Sequence, residues 1–378
     1  MSNSLEKQRN LRNALAITLP SLALFISLLA AVPNVLAQKI NYGKPGEPIK
    51  LVIAHPCCYT EVWSVFAQSG KEFWKKYLPA GSSVEYLVGL QGAVVANQLL
   101  AGQASIGYLG DLPAITATTK TELSDVRIVG VSGSGQDQCH VFLVRKDAPP
   151  FKDSEEAIKW VNGKTVATPK GSCTDEFVQK MFKQFGVEPA AYLNQNIEVI
   201  SSGFRTGRLD GAAIWEPNAS NLVEEGMARR VASGATINER GAGFIIMRAD
   251  LIEQRPDVVR AWLQAELDSQ KFMADEKNSK EMIGFVRSRI QGFSEASLRK
   301  ALYGKYPKSE GGTDTRLTLP FGFTSEVNKV IDQGVVFLNK NKVISSAKMR
   351  PEAVMPEFTE VILKERNLKA PIGKVESR

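Results

Sequence analysis

Histidine and cysteine are the scarce residues of this 378-residue chain, which has only two of the first and four of the second. Two histidines leave few general bases. The chain also lacks an HExxH pattern, a Gly-x-Ser-x-Gly elbow and a Ser-His-Asp order, so hydrolytic catalysis has no visible machinery. The glycine-rich stretch from Gly130 to Gly135 lacks the Gly-Lys-Ser/Thr ending of a phosphate loop. Internal repeats and low-complexity tracts are missing, as is a second long apolar run. The formal charge is +7, and Lys7, Arg9 and Arg12 against Glu6 account for +2 of it. The remaining surplus is dispersed rather than gathered in a basic run, which argues against nucleic-acid binding.

What little cysteine and histidine there is falls in three short segments: His55-Pro56-Cys57-Cys58, Cys139-His140 and Gly171-Ser172-Cys173-Thr174. If the fold gathers them, they form either one set of soft ligands or disulfides beside a site.

Residues 1–37 have the layout of an export signal. Lys7, Arg9 and Arg12 supply the cationic start, Ala14 to Val32 the apolar run, and Val35-Leu36-Ala37 the small residues of a cleavage site. Cleavage after Ala37 and a periplasmic location are expected. The competing expectation is a retained anchor, because the apolar run is close to the shortest that spans a bilayer.

From Ile49 onward, short apolar runs alternate with amphipathic stretches, the pattern of β-α-β units around a largely parallel sheet. Strands are expected at Ile49–Ala54, Val84–Val88, Ala104–Leu109, Arg127–Val131 and Val141–Val144. A smaller unit with strands at Thr165–Ala167, Ile197–Ile200 and Gly211–Trp215 follows, and Phe244–Met247 returns to the first. The chain after Asp250 reads as mainly helical. The implied organisation is a first lobe over 38–146, a second over 147–240, and a return with C-terminal helices over 241–378. Two crossings imply a hinge and a cleft. Loops at the carboxyl ends of such strands are binding positions.

Thr168-Pro169-Lys170-Gly171-Ser172-Cys173-Thr174 precedes an amphipathic helix, so its free N–H groups and Lys170 suit an anion. Ser172 and Thr174 add hydroxyls, with plain helix capping as the competing role. Asp111, after Gly110 at a strand end, points into the cleft or caps a turn. Trp215 can stack on a ligand and Glu216 can accept from its donor groups; the competing roles are a structural aromatic and a salt-bridged carboxylate. Gln138 and Cys139 stand at a strand entry, and Arg205 reads as a solvated helix residue.

Several of these stretches together resemble the extracytoplasmic solute-binding proteins of ATP-driven importers, in the nitrate, sulfonate and taurine group. They are Gly107-Tyr108-Leu109-Gly110-Asp111-Leu112-Pro113-Ala114, Val144-Arg145-Lys146-Asp147, Thr168-Pro169-Lys170-Gly171-Ser172, Gly207-Arg208-Leu209-Asp210-Gly211-Ala212, Ile214-Trp215-Glu216-Pro217-Asn218-Ala219-Ser220 and Arg255-Pro256-Asp257-Val258-Val259-Arg260-Ala261. The resemblance implies an α/β, two-lobed periplasmic-binding-protein fold of type II, with its ligand between the lobes. It also implies a monomer without cofactor or resident metal that delivers a small sulfonate, carboxylate or related oxyanion to a membrane permease with its ATPase. In that framework His55, Cys57, Cys58, Asp111, Gln138, Cys139, Lys170, Ser172, Cys173, Thr174, Trp215 and Glu216 border the ligand.

The cysteines depart from the usual pattern of sulfonate and taurine binders. They are read as disulfides, for example Cys57 or Cys58 with Cys139, as pocket thiols touching ligand or metal, or as inert buried thiols. A vicinal Cys57–Cys58 bond is disfavoured by strain. Capture of a metal, chelate or sulfur-containing solute by the Cys/His set is a second reading. A third is an enzyme similar to the pyrimidine synthases of thiamine biosynthesis, to which His55-Pro56-Cys57-Cys58 bears a loose resemblance.

Overall fold

The computed structural model describes residues 39–378. The expected export segment lies outside them. Among the described residues, no helix is long and apolar enough to cross a membrane.

In chain order, the first half runs β1 (Lys50–Pro56), α1 (Ser64–Lys71), β2 (Ser83–Gly89), α2 (Gly92–Leu100), β3 (Ile106–Gly110), α3 (Asp111–Thr118) and β4 (Val126–Gly135). Next come β5 (Val141–Arg145), α4 (Ser154–Trp160), β6 (Thr165–Thr168), α5 (Cys173–Phe185), β7 (Ala191–Asn194), α6 (Ile197–Arg205), β8 (Gly211–Ile214), α7 (Asn218–Glu224) and β9 (Ala228–Ser233). The chain then returns through β10 (Gly241–Arg248), α8 (Ala249–Gln254), α9 (Pro256–Ala274), α10 (Ser279–Arg289), α11 (Glu295–Tyr303), β11 (Thr315–Leu319), α12 (Ser325–Lys340), α13 (Glu357–Glu365) and β12 (Gly373–Glu376).

Two sheets organise these elements. The first has the order β12-β11-β4-β10-β3-β1-β2, and the second β7-β6-β8-β5-β9. Strand β1 runs parallel to β2 and β3, and β6 parallel to β7 and β8. The carboxyl ends of these parallel strands supply the loops that meet between the sheets.

Strand β5 pairs with β8 and β9 in the second sheet. The first crossing therefore falls at residues 136–140, ahead of the Asp147-Ala148-Pro149-Pro150 boundary expected from sequence. The second crossing, at 234–240, leads into β10, which pairs with β3 and β4.

Three further differences have local causes. Residues 197–205 are helical, not a strand, because Asn196 caps them by accepting from the Val199 N–H at 2.9 Å. Helix α1 ends at Lys71 although the amphipathic spacing runs on to Tyr77, because Glu72 is left-handed with a φ of 52°. Strand β4 runs on past the expected Val131 and takes in the glycine-rich stretch to Gly135. There a Cβ on Gly133 would come within 2.7 Å of the Glu61 carbonyl, a spacing that glycine alone permits.

The core of the first lobe is built on Trp63, Phe66, Tyr108 and Trp262, all fully buried. Trp262 Nε1 donates to the Tyr108 hydroxyl at 3.1 Å, which donates to Glu266 at 2.8 Å. The second lobe has its own apolar cluster around Phe142, Phe177 and Phe182.

A buried ionic cluster joins sheets and crossing. Arg316 from β11 contacts Asp137 in the first crossing, and lies 3.5 Å from Glu216 after β8. Arg230 from β9 is 3.4 Å from both carboxylates.

Candidate functional site

A cavity of about 110 Å³ lies between the sheets. Its first wall comes from the loops after β1, β2 and β3: Pro56, Cys58, Tyr59, Leu90, Gln91, Gly92, Ala93, Gly110 and Pro113. Pro169, Lys170, Gly171, Ser172 and Cys173 after β6, with Trp215 after β8, form the second.

Two helices begin at this cavity without a side-chain cap. Helix α2 starts behind Gln91, and α5 starts behind Ser172. The first N–H groups of a helix have no intrahelical acceptor, and the aligned peptide dipoles leave that end positive. Ser172 does not cap because its hydroxyl is spent elsewhere, donating to the Pro169 carbonyl at 2.5 Å and meeting the Thr174 hydroxyl at 2.7 Å. The Lys170 ammonium is exposed and lies 4.8 Å from the centre of the Tyr192 ring. Lys170 is the one formally charged side chain on the lining. Asp175 and Glu176 follow in the first turn of α5, but Asp175 is held by Gly171 N–H at 2.9 Å and Tyr192 hydroxyl at 2.5 Å. Glu176 pairs with Lys180 at 2.9 Å.

Of the twelve residues singled out from sequence, Cys58, Lys170, Ser172, Cys173 and Trp215 line the cavity. Thr174 sits just behind it, fully buried, accepting from the Thr168 hydroxyl at 2.9 Å. The others are turned to different tasks. Gln138 is buried against Arg316; its oxygen accepts from Nε and Nη2, each at 2.9 Å, and its nitrogen donates to the Ala301 carbonyl at 3.1 Å. Glu216 is buried in the ionic cluster, and its Oε2 accepts from Ser220 N–H at 2.9 Å. Asp111 is the first residue of α3, and its carboxylate accepts from its neighbour Leu112 N–H at 2.7 Å and from Ala242 N–H at 3.4 Å. Burial, then the Glu176 charge, pushes its carboxyl up to about 7. The carboxylate pair expected to face Lys170 is therefore not on the cavity surface.

His55 packs edge-on to Phe66, with ring centres 5.1 Å apart, and burial pulls its ring down to about 4. It is a core histidine. Cys57 is bonded to Cys58, and Cys139 to Cys173. This replaces the expected pairing of Cys57 or Cys58 with Cys139, since α5 brings Cys173 to the crossing while Cys58 stays on the opposite wall. Each disulfide shows one sulfur-bearing residue to the cavity, Cys58 and Cys173. Arg205 pairs on the surface with Glu225 at 2.7 Å.

Sequence reasoning missed Tyr59, Leu90, Gln91, Gly92, Ala93 and Pro113 on the lining. The rule that ligands gather at the carboxyl ends of parallel strands pointed to Leu90-Gln91-Gly92, which directly follow β2.

The chain is 24% identical over 260 residues to the taurine-binding periplasmic protein of Escherichia coli, covering 67% of this chain and 71% of that protein. It is 22% identical over 238 residues to the nitrate/nitrite binding protein NrtA of Synechocystis, covering 58% of this chain and about half, 52%, of that protein. Among solved structures, the alkanesulfonate-binding protein SsuA of Xanthomonas axonopodis pv. citri, bound to MOPS, superposes with a TM-score of 0.64 at 17% identity, over 83% of this chain and 99% of that one. The desulfurization enzyme DSZB superposes with a TM-score of 0.62 at 15% identity, over 84% and 99% of the two chains. The fold is thus the two-lobed α/β fold of the periplasmic binding proteins SsuA and NrtA. The model of the NMT1-like family matches residues 46–287, more than half of the sequence, and the chain belongs to that family.

Proposed function

We propose that this protein is the extracytoplasmic solute-binding component of an ATP-driven importer, and that its solute is an organic sulfonate or related oxyanion with an apolar remainder. The observation that carries this reading is the convergence of two uncapped helix starts and Lys170 on one interlobe cavity. Each helix end contributes roughly 0.3–1 kcal/mol to holding an anion at an exposed site, and up to ~2 kcal/mol when partly buried. Three such sources aimed at one place exceed what ordinary capping requires. Tyr59, Leu90, Pro113 and Trp215 give the remaining surface an apolar character suited to an alkyl or aryl group.

The sequence reading favoured a solute that also bears hydrogen-bond donors. With Asp111 and Glu216 engaged elsewhere, the lining offers no carboxylate to receive an ammonium. A simple alkanesulfonate fits this surface better than taurine does. Delivery to a membrane permease, and export with removal of residues 1–37, follow from the same reading through the periplasmic relatives. Catalysis is not part of it: His55, on which the enzyme alternative depended, packs in the core beside Phe66.

Calorimetric titration of the mature protein with hexanesulfonate, taurine and nitrate tests the proposal. Hexanesulfonate is expected to bind at least tenfold more tightly than taurine. Equal affinity for taurine would overturn the preference, and no heat with any of the three would overturn the anion site.

A further inference from the structure

Cys139, His140 and Cys173 bring two sulfur atoms and a ring nitrogen within 4.8 Å of one another, and all three residues are buried. They lie where the first crossing meets the start of α5, with Cys173 alone reaching the cavity. Two neighbouring groups have nothing to bind. The Nδ1 atom of His140 lacks a hydrogen-bond partner, as do both carboxylate oxygens of Glu61, a fully buried residue. Buried polar atoms are satisfied in most proteins, so orphans clustered beside two sulfurs call for an occupant.

Cys139, in the first crossing, is placed near first-lobe acids. The position a Cβ would take on Gly241 is 3.3 Å from Cys139 Cβ, 3.3 Å from Glu61 Oε1 and 3.7 Å from Asp111 Oδ2. Glycine keeps that space open. Two sulfurs and an imidazole nitrogen within this distance make the donor set of a borderline or soft divalent cation. Tetrahedral bonds of roughly 2.0–2.3 Å fit within the observed spread after small side-chain rotations.

We propose that Cys139, His140 and Cys173 form a redox-gated site for a divalent cation of the zinc class, closed as a disulfide and opened by reduction. The Cys139–Cys173 bond takes two electrons from an external dithiol, which is itself oxidised to a disulfide. The two thiols formed release their protons to solvent as they bind the cation, and the His140 ring nitrogen supplies the third donor. The site shares Cys173 with the oxyanion cavity, while Cys139 and His140 do not line it.

The test is cadmium binding by the full-length mature protein, oxidised or reduced with dithiothreitol and desalted without oxygen, in the absence of any sulfonate. The readouts are native mass spectrometry and the ultraviolet thiolate-to-cadmium band. One cadmium per reduced chain and none per oxidised chain is expected. In the reduced state, Cys139→Ser and Cys173→Ser should each lose the band, and His140→Ala should bind at least tenfold more weakly. The double variant Cys57→Ser, Cys58→Ser should bind as the wild type does. Absence of cadmium from the reduced wild type overturns the proposal, and so does binding that disappears only in the Cys57, Cys58 variant. Wild-type comparisons need no variant to fold, and hexanesulfonate titrations on the same samples report separately on the oxyanion cavity.

Discussion

Lys170 stands at the cavity by its charge alone, since its ammonium is exposed and anchored only over the Tyr192 ring. An exposed charge is screened by salt, so its share of anion affinity should be modest and ionic-strength dependent. Lys170→Ala is expected to weaken hexanesulfonate binding threefold to tenfold at low salt, and less at high salt. Calorimetry at two ionic strengths checks it, and unchanged affinity at both would remove Lys170 from the cavity. Asp111 acts on stability instead. Its folded pKa of about 7 stands above the ordinary 3.8, so between those pH values the folded protein keeps a proton that the unfolded chain releases. Its contribution is complete below the lower value and is lost as pH rises to the upper one. Asp111→Asn should therefore gain stability relative to wild type as pH rises from 4 to 7, by up to roughly 4 kcal/mol at 1.36 kcal/mol per unit. Urea melts across that range measure it, and parallel pH profiles would contradict it. His55 and His140, lowered to about 4 and about 3, contribute in the opposite sense in both proteins and cancel in the difference.

The helix starts carry the binding argument at the level of elements. Helix α2 has no acidic residue in its first turn, and Ala93 there is exposed and lines the cavity. Ala93→Asp should leave the protein as stable, or more stable by roughly 0.3–1 kcal/mol, because the acid complements the helix dipole. The same charge should lower hexanesulfonate affinity at least tenfold. Thermal melts and calorimetry on one sample separate the two effects, and retained affinity would take α2 out of the site. Elements were legible where the pattern was local: β1, β2 and β3 sit within a residue or two of their sequence assignments. Residues 197–200 misled because Ile197, Val199 and Ile200 are β-branched, while the deciding signal was the single cap at Asn196. Strands β7, β11 and β12 are short, and each pairs along one or two partner strands that only the folded chain supplies.

The whole molecule depends on the ionic cluster that ties β11, the first crossing and the second lobe together. Four charges with almost no exposure balance one another there, and removing one leaves an uncompensated buried partner. Arg316→Ala is expected to cost about 3–5 kcal/mol in unfolding free energy. Arg316→Ala with Asp137→Asn should recover part of that loss. Urea denaturation checks both, and a double variant no more stable than the single would show that charge is not the cause. Because Arg316 reaches Asp137 in the crossing and Glu216 beyond it, the same substitution is also expected to loosen the two lobes' relation. The cavity lies between those lobes, so affinity should fall with it.

The sequence by itself determined the parallel strand runs, the loops at their carboxyl ends, and the basic entry to α5, because each is written in contiguous residues. It also placed Cys58, Cys173, Lys170, Ser172 and Trp215 at the right end of the right strands. Tertiary structure alone decided which polar residues near those ends face the cavity. Asp111, Gln138 and Glu216 turned inward because the Ala242 N–H, an arginine and an ionic cluster distant in sequence were there to satisfy them. The cysteine pairing was decided the same way, since the partner of Cys139 depends on where α5 docks. A buried charge or sulfur is committed by whatever long-range packing brings within reach, and no local pattern records that distance.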